Sequence, residues 1–393
     1  MKKLVWILQA LSVLAYPRPT DDGYVVDLDY AKHAPSWKNT TTHGTTLLNY
    51  NNIRYAQPPV GDLRFRKPAF PPPISEGISF GNISASNDQF LPPALEPPPS
   101  FPSSWETDCV SSGTIGIPFP LLSGATWGSE DCLLLNVVVP EGTKPGDKLP
   151  VLHWTIGSAF AFGSKDWTGF GINTYGLWNR PLGLPDKFII VTHNYRLGVP
   201  GWTPKFDEDM NGNLGVWDSL AAIEWTKKYI DRFGGDPDNI TAIGQSARAA
   251  ILAWLLVARN GTLELPFQQA WIASPTLAPR GTLERSRSVW ESTLNYTQCG
   301  GVECLRTLSE AEILDLNKHM LIELTPGAGG GSLGPGVGYT PTVDGELLSD
   351  LHANLLAQGK INKDIRKLVV GNTKAEVRGL ALKLPLLSLT NPM

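Results

Sequence analysis

Apolar residues are distributed unevenly along this chain. The runs "CLLLNVVVP" (132–140), "KLPVLHWTIG" (148–157) and "KFIIVTHNY" (187–195) are nearly continuous in aliphatic and β-branched residues. Such runs suit strands buried on both faces. "NLGVWDSLAAIEWTKKYIDRFG" (213–234) instead mixes Leu220, Ile223, Trp225 and Ile230 with charges and stops at glycine, which predicts a helix. A short buried strand, "NITAIG" (239–244), follows, then a largely apolar helix, "ARAAILAWLLVARN" (247–260), and a strand, "QQAWIASP" (268–275). This alternation predicts an α/β fold: a mostly parallel sheet with helices on both faces.

The pattern weakens toward both ends. "GYVVDLDYA" (23–31) alternates as a strand, whereas "NNIRYAQPPVGDLRFRKPAFPPP" (51–73) reads as an extended surface loop. Residues 92–102 carry too much proline for either regular element. Later, "LSEAEILDLNKHMLIEL" (308–324) and "DLHANLLAQGKI" (350–361) predict helices flanking a glycine-rich loop (327–338), and "RKLVVGNT" (366–373) a strand. No internal repeat is visible, and residues 16–393 are expected to form one domain.

The first residues change the picture. Lys2 and Lys3 precede the apolar "LVWILQALSVLA" (4–15), ending in a small-residue site, so residues 1–15 are expected to be a secretory signal peptide. That run is too short to span a bilayer. Four cysteines fit an oxidising compartment; they permit three pairings, of which Cys109 with Cys132 and Cys299 with Cys304 is preferred as nearest in sequence. Neither pair has the spacing of a zinc site. Asn-x-Ser/Thr sequons at Asn39, Asn82, Asn239, Asn260 and Asn295 are compatible with a secreted glycoprotein. The 393 residues are 42% hydrophobic and 18% charged with net charge −4, which argues against nucleic acid as a partner.

The candidate chemistry lies in "TAIGQSARAAILAWLL" (241–256). A strand, Gly244, Ser246 and a helix have the layout of a nucleophile elbow, in which a sharp turn lifts the serine above the sheet. The helix N-terminus then offers backbone N–H groups to a developing oxyanion. The second glycine of G-x-S-x-G is here Arg248, and the five letters alone also suit a helix-capping serine.

The flanks resemble the type-B carboxylesterase/lipase family, which includes the cholinesterases. The blocks that carry the resemblance are "RYAQPPVGDLRFRKP" (54–68), "SEDCLLLNVVVP" (129–140), "NYRLGVPGW" (194–202), "NGNLGVWDSLAAIEWTKKYIDRFGGDPDNITAIGQSARA" (211–249), "VDGELLSDLHANLLAQGK" (343–360) and "VVGNTKAEV" (369–377). The resemblance implies an α/β-hydrolase fold, with its last strands and covering helix missing from this chain, and hydrolysis of carboxylic esters through a serine acyl-enzyme. It places Ser246 at the nucleophile position and Glu376 at the acid position. Ser158, Ala159 and Ala247 fall at the oxyanion hole, and Cys109–Cys132 and Cys299–Cys304 match two disulfide loops. It implies no cofactor and no metal, and a small ester substrate or apolar ligand. Oligomeric state stays open.

Four departures qualify that expectation. The family order is serine, acid, histidine, yet none of the six histidines (His33, His43, His153, His193, His319, His352) follows Glu376. A serine hydroxyl without a base is a poor nucleophile. His153 and His193 are expected to be hydrogen-bonded core residues, and His352 a surface or packing residue. The family's oxyanion glycines are reduced to Gly157, followed by Ser158 and Ala159 in "WTIGSAF" (154–160). Gln245 stands where the family has Glu. Arg248 needs a route to solvent or a carboxylate partner, and the turn is expected to open around it. Trp154, Phe160 and Phe162 serve either an acyl pocket or plain packing. Hydrolysis is therefore expected to be weak or absent, the alternative being a non-catalytic, cholinesterase-like binding or adhesion protein.

Overall fold

The aliphatic runs assemble side by side into one sheet. The computed structural model describes residues 23–41, 43–71, 77–81, 107–113, 123–155, 157, 159–166, 177, 187–277, 283–324 and 339–374. The expected leader (1–15), the proline-rich 92–102, the glycine-rich 327–338, Ser158, Glu376 and the sequon at Asn82 lie outside the described residues.

Eight strands form the sheet: β1 (Trp37–Thr40), β2 (Thr46–Arg54), β3 (Leu134–Pro140), β4 (Leu149–Thr155), β5 (Ile189–His193), β6 (Gly235–Gln245), β7 (Gln269–Ala273) and β8 (Lys367–Gly371). Their spatial order is β8-β7-β6-β4-β5-β3-β2-β1. From β5 through β4, β6 and β7 to β8 all pairings are parallel, as the strand–helix alternation requires. The β5–β3, β3–β2 and β2–β1 pairings are antiparallel.

That antiparallel end corrects the reading of residues 51–54 as a surface loop. They complete β2, whose Leu47, Leu48, Tyr50 and Ile53 are buried and which bulges between Tyr50 and Ile53 against β3. The prolines that suggested a loop begin only at Pro58, beyond the strand. Only Val26–Asp27 of "GYVVDLDYA" is strand, and it pairs antiparallel with Lys32–His33 just beyond that stretch. β6 also begins earlier than the strand expected at 239–244, because Gly235 already pairs with Leu149, and it bulges before Ile240.

The helices are α1 (Gly198–Trp202), α2 (Leu214–Tyr229), α3 (Ala247–Gly261), α4 (Leu283–Thr297), α5 (Val302–Thr307), α6 (Glu310–Lys318) and α7 (His352–Ala357). Both α2 and α3 pack on β6. Every residue of α3 from Ala247 to Ala258 is buried, the behaviour of a helix apolar all round. It ends where Arg259 and Asn260 turn to positive φ. A Ser309–Glu312 capping box starts α6, and a π-helical turn at His319–Glu323 follows it.

Both disulfides form as the resemblance implied, Cys109–Cys132 and Cys299–Cys304. Two buried ion pairs knit the resembling blocks together. Arg64 donates to both oxygens of Glu130 (2.7 and 2.6 Å) and also to the carbonyls of Leu305, Arg306 and Leu308. Arg196 in "NYRLG" pairs bidentately with Asp218 of α2 (2.8 and 2.6 Å). These conspicuous arginines are scaffold.

Candidate active site

Ser246 joins β6 to α3 with φ 58° and ψ −123°, a region that residues other than glycine avoid. Three main-chain bonds hold the turn. Ser246 N–H donates to Ala273 O (3.0 Å), while Ala250 and Thr276 N–H donate to Ser246 O (3.0 and 3.3 Å). The strain at Ser246 is thus fixed from β7, α3 and the segment after β7.

The glycines on either side show how tight the elbow is. A Cβ on Gly244 would lie 2.8 Å from the Arg248 main chain, so only glycine fits beneath the first turn of α3. A Cβ on Gly157 would lie 2.0 Å from Gln245 O and 2.7 Å from Ser246 Cβ. The loop after β4 therefore rests directly on the elbow, where an oxyanion loop belongs. Further along it, Ala159 and Phe160 take φ of 53° and 62°. Ala159 keeps the left-handed backbone of a glycine while carrying a Cβ, at a cost of about 1–2 kcal/mol.

The Arg248 expectations are overturned. Its side chain reaches neither solvent nor a carboxylate; it is 3% exposed and runs into the core without opening the turn. Nη1 donates to His193 Nε2 (2.7 Å) and Ser219 Oγ (3.0 Å), and Nη2 donates to His193 O (3.2 Å). The guanidinium carbon lies 3.4 Å from the centroid of the Tyr195 ring, in cation–π contact. Nε has no partner among the described residues and the side chain borders a cavity of about 10 Å³.

The chain of bonds continues beyond His193, and one proton arrangement satisfies it. Thr226 Oγ1 donates to Ala222 O (3.0 Å), so it accepts from His153 Nδ1 (2.9 Å). His153 Nε2 then accepts from His193 Nδ1 (2.6 Å), and His193 Nε2 accepts from Arg248. Both imidazoles are neutral in this arrangement. Burial, reinforced by the Arg248 charge, lowers the His153 pKa to about 3 and holds His193 well below its usual value. Burial also brings Arg248 down to about 10, still charged at neutral pH.

These two core histidines, as expected, are not bases for Ser246. Its hydroxyl instead faces Thr276 Oγ1 at 3.5 Å, a contact no local pattern signalled. His352 packs edge-on against Trp254 of α3 (5.4 Å between centroids), and His319 pairs with Glu323 (3.1 Å). Among the described residues no histidine nitrogen reaches Ser246. Phe160 and Phe162 are buried, Phe160 against Trp202 at 4.7 Å, so packing accounts for both. The described residues hold no group of three or more His, Cys, Asp or Glu able to bind a metal.

The turn at Ser246, its strand and the loop resting on it thus have the layout of a nucleophile elbow, and no histidine among the described residues reaches Ser246. The model of the carboxylesterase family matches residues 37–386. Carboxylesterase patB of Penicillium expansum is 28% identical over 384 residues, covering 88% of this chain and 63% of that protein. The secreted triacylglycerol lipase LIP1 of Gibberella zeae is 31% identical over 328 residues, covering 79% and 52%. Among solved structures, Aspergillus niger EstA superposes with a TM-score of 0.66 at 28% identity, covering 89% of this chain and 59% of EstA. The chain spans about half to two-thirds of the length of these relatives. With an α/β-hydrolase sheet and a family match over residues 37–386, this chain belongs to the carboxylesterase family.

Proposed function

We propose that this protein is a secreted member of the family in which Ser246 and Glu376 keep the nucleophile and acid positions but hydrolysis of carboxylic esters is weak or absent. The observation that carries this reading is the environment of Ser246: its hydroxyl faces Thr276, while His153 and His193 use both ring nitrogens inside the core. Ala247 N–H at the start of α3 remains suited to an oxyanion, so the site keeps a means of binding a carbonyl oxygen, while no described residue serves Ser246 as a base to generate the alkoxide. The leader-like residues 1–15 and the two disulfides support export.

The test pairs a fluorophosphonate probe with turnover of short-chain aryl esters, using Ser246→Ala as the background. Labelling and turnover no higher than that background are expected. Stoichiometric labelling of Ser246 would overturn the reading.

A further inference from the structure

Four of the sequon asparagines fall on described residues, and their surroundings divide them into two kinds. Asn39 is half-buried on β1, and its Oδ1 accepts from Nδ2 of Asn49 on β2 (3.0 Å), a residue only 1% exposed. Asn239 is half-buried on β6, with its Oδ1 accepting from Gln269 Nε2 on β7 (2.9 Å). Each of these amides is turned toward a neighbouring strand. A branched sugar on Nδ2 of either would have to fit against the neighbouring strand, because both side chains are half-buried there.

Asn260 and Asn295 differ in both respects. Both are exposed, one just past the helical part of α3 at φ 61° and the other in the last turn of α4. Asn260 Oδ1 accepts from Ser349 Oγ (2.8 Å), and neither Nδ2 is engaged among the described residues. The sequon hydroxyls bond only within their own turns, Thr262 to Arg259 O (2.7 Å) and Thr297 to Thr293 O (2.9 Å). Asn260 also lies at the opposite end of α3 from Ser246, about 15–20 Å away along the helix, so a glycan there leaves the elbow uncovered.

We propose that Asn260 and Asn295 carry N-linked oligosaccharides and that Asn39 and Asn239 do not. The inference rests on the proposed export, because the co-reactant is a lipid-pyrophosphate-linked oligosaccharide of the secretory pathway. In the transfer, Nδ2 attacks the anomeric carbon of the first sugar. The N–C bond forms, the C–O bond to the pyrophosphate breaks, the lipid pyrophosphate leaves, and a base of the transferase takes the amide proton. A glycan on Asn260 or Asn295 points to water, whereas one on Asn39 or Asn239 obstructs strand pairing, so the chains that complete folding and leave the cell are those bare at Asn39 and Asn239.

The experiment expresses the full chain in a eukaryotic secretory host and maps its peptides after enzymatic deglycosylation in heavy-oxygen water, which marks each formerly modified Asn as Asp. Conversion at Asn260 and Asn295 with Asn39 and Asn239 unchanged is the expected result, and Asn260→Gln and Asn295→Gln should each remove one glycan's worth of mass. An exported chain that is bare at Asn260 or Asn295, or marked at Asn39 or Asn239, overturns this inference and leaves export standing. A chain retained in the cell with residues 1–15 attached overturns export and this inference together.

Discussion

Arg248 Nη1 donates to His193 Nε2 at 2.7 Å in a part of the core without a carboxylate bonded to the guanidinium. A buried cation held by neutral groups depends on each of them, because a charge left without partners is far costlier than a neutral group. His193→Leu should therefore destabilise by about 3–5 kcal/mol. Adding Arg248→Gly to His193→Leu should recover most of that loss, since the double variant removes both the stranded charge and its acceptor. Urea unfolding of the two single variants and the double variant checks this; strictly additive losses would show that the two residues do not depend on each other.

Three buried histidines, two of them in this network, make stability sensitive to acid. His153 is displaced down to about 3 and His33 to about 4, with His193 well below its usual value, all mainly by burial. In the unfolded chain each titrates near 6.5. Below that pH the unfolded chain takes up protons that the folded one refuses, so stability present above 6.5 is lost as pH falls toward 4 and then 3. The expected slope is about 1.4 kcal/mol per pH unit for each histidine. Urea midpoints at pH 7.5, 6 and 5 should fall steadily, and a His33→Asn variant should show a shallower fall.

Asp108 acts with the opposite sign. It is fully buried beside the Cys109–Cys132 bridge; Oδ2 accepts from Trp127 Nε1 (3.1 Å), and Oδ1 has no partner among the described residues. Burial raises its pKa to about 7, and the Asp166 charge adds to this. A raised folded pKa means stability fully present below about 3.9 and lost as pH rises through 7. Asp108→Asn keeps an acceptor for Trp127 without the charge. It should stabilise the protein by on the order of 2 kcal/mol at pH 8 and by much less at pH 5, read as the difference in urea midpoint between the two pH values.

Ala159 sits at φ 53° in the loop that rests on the elbow. Replacing it by glycine removes the Cβ that makes this backbone costly, and Ala159→Gly should stabilise by about 0.5–1 kcal/mol despite the greater freedom it gives the unfolded chain. Gly157→Ala should do the reverse and more strongly, because its Cβ would meet Gln245 O at 2.0 Å. Thermal unfolding of both variants separates the two positions.

How much of this was legible in the sequence depends on how local each signal is. The elbow was readable because strand, Gly244, Ser246 and the apolar α3 are contiguous. The anomaly at Arg248 was equally visible, and its resolution was not. Its partners come from β5 and α2, with His153 of β4 behind them, and only the packing of those elements decides that the side chain turns inward. The polar His153 and His193 in otherwise apolar runs were the available hint, and they were read separately, as core histidines. Thr276 gave no signal, because the segment after β7 meets Ser246 only through the folded sheet. The antiparallel end was missed where Thr46–Arg54 mixes Asn and Tyr among its aliphatics, which obscures the period of a strand whose partner lies far along the chain.

The other end of the sheet yields the last prediction. All five residues of β8 are exposed, Leu368, Val369 and Val370 by 42%, 55% and 59%, and Trp271, which pairs with Val369 from β7, by 48%. Among the described residues only β7 pairs with β8, and none of them bonds the other row of its N–H and C=O groups, which runs beside exposed apolar side chains. An edge of this kind lacks the charges, prolines or bulges that usually blunt one, apart from Lys367 at its start, and so templates pairing with another chain. The protein is expected to self-associate as its concentration rises. Val369→Lys places a charge at the middle of the edge, where two copies would otherwise meet. It should raise the concentration at which light scattering increases while shifting stability by less than about 0.5 kcal/mol, the usual range for a surface change. Scattering that rises at the same concentration in Val369→Lys would move the association to another surface.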